Sequence, residues 1–165
     1  MHEMPETATL NFLIKFLAMD DLKQFCTFYL DNLLFGVEVG KVQEVIRYQE
    51  ITPVPLAPPV VSGLINLRGQ IVTALDLRRR LEFKERDSDK LPMNVVVRTG
   101  EESVSLLVDE IGEVLDVEDD IFEAPPETLR GSARELIRGV YKIKERLLLV
   151  LDTEAVVTIN GRNAQ

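Results

Sequence analysis

VSGLINLRGQIVTALDL (residues 61–77) decides the fold once it is laid on IRGVYKIKERLLLVLDT (residues 137–153), 76 positions later. Gly63 falls on Gly139, Ile71 on the Leu147-Leu148-Leu149 run, and Leu75-Asp76 on Leu151-Asp152. Upstream, FGVEVGKVQEV (35–45) lies on LVDEIGEVLDV (107–117) at an offset of 72, matching Glu38 with Glu110, Gly40 with Gly112, Val42 with Val114 and Val45 with Val117, and Pro53 with Pro125. Two halves with the same order of motifs, and a four-residue insertion in the second, imply an internal duplication.

Each half is a series of short Val/Ile/Leu-rich runs in alternation, separated by Gly, Pro, Asn or charged clusters, which is the pattern of small all-β proteins. The spacing predicts strands at 24–30, 34–39, 42–48, 60–67, 70–77, 93–99, 103–109, 112–118, 136–143 and 146–151. Asp31-Asn32 and Gly100-Glu101-Glu102 read as hairpin turns. Helix is confined to pieces at 10–22, 76–82, 127–136 and 152–158. Two copies of a five-strand unit imply two small barrels related by approximate twofold symmetry, since one alone buries a marginal core. A groove between them is the expected binding region.

At 165 residues, 45% hydrophobic and 28% charged, the chain has ordinary globular composition. Its formal net charge of -9 disfavours nucleic acid and anionic membranes. Arg78-Arg79-Arg80 reads as an anion site or, more simply, as a solvated face. Cys26, the only cysteine, sits between Phe25 and Phe28 and is expected to be a buried, inert thiol. The N-terminus lacks the basic start of a signal peptide, and no run reaches the ~18 apolar residues of a membrane helix, so a soluble cytoplasmic protein is expected. His2 is the only histidine, which removes histidine triads and histidine metal sites, and no phosphate-cradling glycine loop occurs. Neither a cofactor nor a metal is expected. Asp109, Glu110, Glu113, Asp116, Glu118, Asp119 and Asp120 crowd one region, without the spacing of a calcium loop. They read as a solvated acidic edge, with a carboxylate hydrolase or small-molecule sensor in the groove as the competing reading.

Differences between the copies point to function, because both share the demands of the fold. Leu67-Arg68-Gly69 of the first copy stands against Ile143-Lys144-Glu145 of the second. Gly69 permits positive φ, and Arg68 presents a planar, permanently charged fork suited to a carboxylate or carbonyl cluster on another protein. The alternative is a local ion pair with Glu44 or Asp76.

FGVEVGKVQEVI (35–46), GLINLRGQIVTALDLRRRL (63–81), LLVDEIGEVLDV (106–117) and IRGVYKIKERLLLVLD (137–152) together resemble the CheW family of bacterial chemotaxis coupling proteins, over about residues 24–158. The same domain occurs in the chemotaxis kinase CheA and in CheV, but neither a kinase segment nor a receiver domain fits this length. Thr73 stands where the family motif commonly has proline. LNFLIKFLAMDDLKQF (10–25) exceeds the family core and reads equally as an amphipathic helix, a disordered arm or an upstream mis-start.

The resemblance implies two SH3-like barrels, at 23–83 and 84–151, after an N-terminal extension (1–22) and before a terminal helix and tail (152–165). It implies a non-enzymatic adaptor joining chemoreceptor tips to the CheA regulatory domain, monomeric alone and part of a ring in complex. Carried onto this chain, the receptor-facing residues are Val42, Glu44, Asn66, Leu67, Arg68 and Gly69. Val42 and Glu44 would share one face of a regular strand, with plain core packing the alternative for Val42. The kinase-facing candidates are Ile111, Val114 and Leu115.

Overall fold

A computed structural model describes residues 6–17, 23–118, 122–127, 129–159 and 162–163. Ten strands carry the fold: β1 (Gln24–Leu30), β2 (Leu33–Glu38), β3 (Val42–Ile46), β4 (Val61–Leu67), β5 (Gln70–Asp76), β6 (Met93–Thr99), β7 (Glu102–Val108), β8 (Glu110–Asp116), β10 (Ile137–Ile143) and β11 (Arg146–Leu151). Each lies within two residues of its expected place. The two-residue strands β9 (Phe122–Glu123), β12 (Thr158–Ile159) and β13 (Arg162–Asn163) are too short to show a period. Helices α1 (Glu6–Leu17), α2 (Leu77–Arg80), α3 (Ser132–Leu136) and α4 (Thr153–Val157) complete the chain. Residues 18–22, the end of the helix expected at 10–22, lie outside the described residues.

The two main sheets are not the two halves of the chain. One runs β3-β6-β7-β5-β4 and the other β8-β1-β2-β11-β10-β9. Each takes its first hairpin from one half and its remaining strands from the other, so a division between residues 83 and 84 cuts both. The connections explain this. Two-residue turns, such as Asp31-Asn32 and Gly100-Glu101, reverse the chain and make hairpins. A single 3-10 turn (Val39–Lys41) joins β2 to β3, and Asp109 alone joins β7 to β8, so neither connection folds back and the chain crosses into the opposite sheet.

Pairing registers support the duplication and correct its first offset. Val42, Val45 and Ile46 pair with Val97, Val95 and Asn94, whereas Ile111, Val114 and Leu115 pair with Phe28, Cys26 and Phe25. Equivalent residues in β1–β3 and β6–β8 are therefore 69 apart (111 − 42), three fewer than the sequence match suggested. The later offset of 76 stands. Asp76 and Asp152 cap α2 and α4, and their amides donate to Val60 and Leu136 carbonyls at 2.8 Å in each case.

Apolar side chains form three clusters. Ile65, Leu67, Val72 and Ala74 fill one barrel, and their counterparts Tyr141, Ile143, Leu148 and Val150 fill the other. The largest cluster lies between the sheets and draws Phe28, Phe35 and Val42 from the first half and Leu106, Val108 and Leu149 from the second. The region expected to hold a groove is therefore mostly solid core. Cys26 belongs to this cluster, and burial pushes its thiol up to about 12. It is expected to resist a thiol reagent at pH 8 in the native protein and to react fully after denaturation, and rapid native labelling would contradict this packing.

Candidate partner-binding surface

The β4–β5 hairpin turns at Arg68 and Gly69, with φ of 50° and 89°. Positive φ at both central residues is the geometry that follows the natural twist of a two-residue hairpin. Asn66 locks the turn, its side-chain oxygen accepting from the Gly69 amide at 2.8 Å. Lys144 takes the matching conformation in the second copy, with φ of 54°. A two-residue turn whose first residue has positive φ is thus common to both copies, and the side chains on it differ.

Arg68 donates to Glu44 of β3, so the local ion pair considered above is formed. The two partners are unequal: Glu44 is buried, whereas three quarters of the Arg68 side chain is open to solvent. A buried carboxylate needs a partner, and here it tethers the guanidinium from beneath. The result is a positioned cation on a rigid turn, beside exposed Asn66 and Ile71.

The other expected receptor contacts divide differently. A bulge between Val42 and Glu44 inserts one residue into β3, which reverses the alternation beyond it. Val42 and Val45 face the core between the sheets, and Ile46 packs on the cluster inside the barrel. Val42 and Glu44 therefore do not share a face. Leu67 fills the same barrel. Val42 and Leu67 are core, and the exposed part of the set is Asn66, Arg68 and Gly69.

Ile111, Val114 and Leu115 lie on β8, at the edge of its sheet, and are half-buried. The equivalent bulge turns Ile111 and Val114 towards the core between the sheets, and Leu115 packs inside the second barrel. Ile111 and Val114 also line an open groove of about 860 Å³ with Met93, Arg47, and Leu10 and Leu13 of α1. The expected binding residues had not included any of α1. The helix packs against β3, and its Asn11 bonds to both the amide and the carbonyl of Val45, the latter at 2.7 Å.

The arginine triplet is not a single solvated face, since only Arg79 of the three is exposed. Arg78 is buried and donates to both oxygens of Asp109, to Asp31 at 2.6 Å and to the Lys84 carbonyl at 2.8 Å. Arg79 reaches Glu85 and the Pro59 carbonyl, and Arg80 binds the Ala155, Val156 and Thr158 carbonyls at the end of α4. Asp109 also accepts from Arg86 at 3.0 Å. Burial pushes the Asp109 carboxyl up, but bonds from Arg78 and the Asp31 amide, with the charges of Arg78 and Arg86, outweigh it and hold the group at about 2. Such a carboxylate stays ionised at neutral pH and cannot serve as a general acid. Glu110, Glu113, Asp116 and Glu118 are exposed, and Asp119 and Asp120 lie outside the described residues. Among the described residues, no group of three or more His, Cys, Asp or Glu side chains could hold a metal ion. The hydrolase reading finds no support.

Residues 24–160 match the family model described as CheW-like domain. The chain is 29% identical over 137 residues to the chemotaxis protein CheW of Treponema pallidum, covering 81% of each. It is 29% identical over 147 residues to the probable chemotaxis protein CheW of Rhizobium etli, covering 89% of this chain and 94% of that one. Its fold is similar to that of the scaffolding protein TtCheW from Thermoanaerobacter tengcongensis, with a TM-score of 0.77 and 25% identity, covering 88% of this chain and 94% of the other.

Proposed function

The chain belongs to the CheW-like domain family, and on that premise we propose that it joins chemoreceptor signalling tips to the regulatory domain of the histidine kinase CheA, in the cytoplasm. Its role is that of a chemotaxis adaptor, with no reaction of its own. Among the described residues no helix is long and apolar enough to cross a membrane.

The observation that carries the receptor assignment is the exposed guanidinium of Arg68, held over buried Glu44 on a turn whose second copy lacks the arginine. Arg68, Asn66 and Gly69 touch the receptor in this reading. Glu44 positions Arg68, and Val42 and Leu67 support the two strands from inside. The kinase domain is assigned to the side of β8, where Ile111, Val114 and Leu115 are half-buried along a sheet edge. A pseudo-symmetric pair of barrels offers comparable ends to successive neighbours, which is what a closed ring of adaptor and kinase domains requires. An interface of standard size would bury about 800 Å² on each partner.

Binding of the purified protein to a receptor signalling-tip hairpin and to a CheA regulatory domain tests both assignments. Arg68→Ala is expected to weaken receptor binding about thirtyfold, at the lower end of interface hot spots, and to leave kinase binding unchanged. Equal loss towards both partners would move Arg68 out of the receptor site. Failure of the wild-type protein to bind either would remove the function and leave the fold.

A further inference from the structure

The family match begins at residue 24, so α1 lies outside the shared domain, yet it is seated on its core. Ile14 is 1% exposed and belongs to the cluster between the sheets, with Val42 and Val45, and Leu10 packs against it. Asn11 engages Val45 in a specific way. β3 is an edge strand, and Val45, which pairs with Val95 on one side, directs its amide and carbonyl to the open side. The Asn11 amide meets both groups, as the peptide of a further strand would. At the equivalent residue of the second copy, Val114, α1 instead leaves the open groove lined by Ile111, Met93 and Leu13.

The outer face of α1 is unusual for a permanent surface helix. Phe12 is 69% exposed and Leu13 39% exposed, and Leu91 beside the groove is 64% exposed. A helix settled on a surface normally turns polar residues outward, whereas α1 leaves Phe12 and Leu13 open to solvent beside exposed Thr9. A single 12-residue helix is also marginal once detached.

We propose that α1 is a displaceable lid, an internal stand-in for the amphipathic helix of a partner, covering the open edge of β3, the strand that carries Glu44 beneath Arg68, until a receptor helix takes its place. The proposal rests on the receptor reading above. An occupied site lowers the apparent affinity of any competing helix by the fraction of molecules in which it is closed, so loosening the lid should strengthen binding. Leu10, Asn11 and Ile14 hold the lid down, and Phe12 points away from it.

The full-length protein and two variants, Asn11→Ala and Phe12→Ala, are titrated with a soluble receptor signalling-tip hairpin, and amide hydrogen exchange over 6–17 is followed in each complex. Asn11→Ala removes both bonds to Val45 and is expected to bind about fivefold tighter, corresponding to roughly one net hydrogen bond. Phe12→Ala is expected to match the wild type. Protection of the α1 amides should fall when the hairpin binds. Unchanged or weaker binding by Asn11→Ala, with α1 still protected in the complex, overturns the lid and leaves the receptor assignment intact. Weaker binding by Phe12→Ala makes α1 part of the docking surface and also overturns it. Absence of binding by all three proteins overturns the receptor assignment itself, and the lid with it.

Discussion

Replacing Arg78 by methionine is expected to remove about 3 kcal/mol of stability, as when one partner of a buried ion pair is deleted. In a chain of this size that lowers the melting temperature by roughly 10 °C. Arg78 is buried and its fork serves Asp109, Asp31 and the Lys84 carbonyl together, which ties the first hairpin, α2 and the β7–β8 junction at one point. Arg78→Lys should recover little, because one ammonium cannot reproduce the fork. Asp109 adds a pH signature. Its folded value of about 2 lies below the ordinary carboxylate value of ~3.9, so its contribution is complete above that value and is lost as pH falls towards 2. Denaturant melts at pH 7, 4 and 2.5 check both claims. The acid-dependent loss should shrink in Arg78→Met, and a wild-type midpoint for the variant at pH 7 would sink the assignment.

Gly63→Ala is expected to cost about 2–4 kcal/mol, combining backbone strain with a steric conflict. Gly63 has φ of 149°, and a methyl group there would stand 2.3 Å from the Thr52 carbonyl oxygen. That oxygen accepts from the Leu64 amide at 2.8 Å, and the Thr52 amide donates back to Leu64 at the same distance, so neither strand can yield without breaking the bridge. Gly69→Ala is the control. A methyl at Gly69 meets nothing within 4 Å, so only the φ of 89° opposes it, at about 1 kcal/mol. Thermal melts of the two variants should differ in that order, and equal losses would mean that the Thr52–Leu64 crossing is softer than its geometry implies.

What was legible in the sequence was what local periodicity encodes. Ten strands, the position of the Arg68 turn and the Asp76/Asp152 correspondence follow from alternation and from residues with narrow conformational roles. The offset of 72 failed because valine and glutamate recur along β2, β3 and β8, so a three-residue slip still matches apolar with apolar. Only the pairing of Val45 with Val95 and of Val114 with Cys26 resolves it. The shared face expected of Val42 and Glu44 failed for a related reason, since one bulge residue inverts the alternation and leaves no mark in composition. Interlaced sheets were invisible because strand pairing is non-local. Arg78 was misread as solvent-facing because a run of three arginines carries no sign that Asp31 and Asp109 will close over the first of them. The Asn11 contact had a faint signal: an asparagine within the apolar run from Leu10 to Leu17 is a polar group that needs a partner.

The exchange of hairpins between the two sheets also sets a timetable for synthesis. β1 and β2 find their neighbours only in β8 and β11, and β2 lies parallel to β11, a pairing between the opening and closing stretches of the domain. An emerging N-terminal half therefore holds a hairpin with no sheet to join and a set of strands with no hairpin to complete them. The sheet built on β3, β4 and β5 is complete once β7 has emerged, but the other cannot close until β11 has left the ribosome, and a chain ending before β11 would present the unpaired edge of β2 to whatever chaperone is nearest.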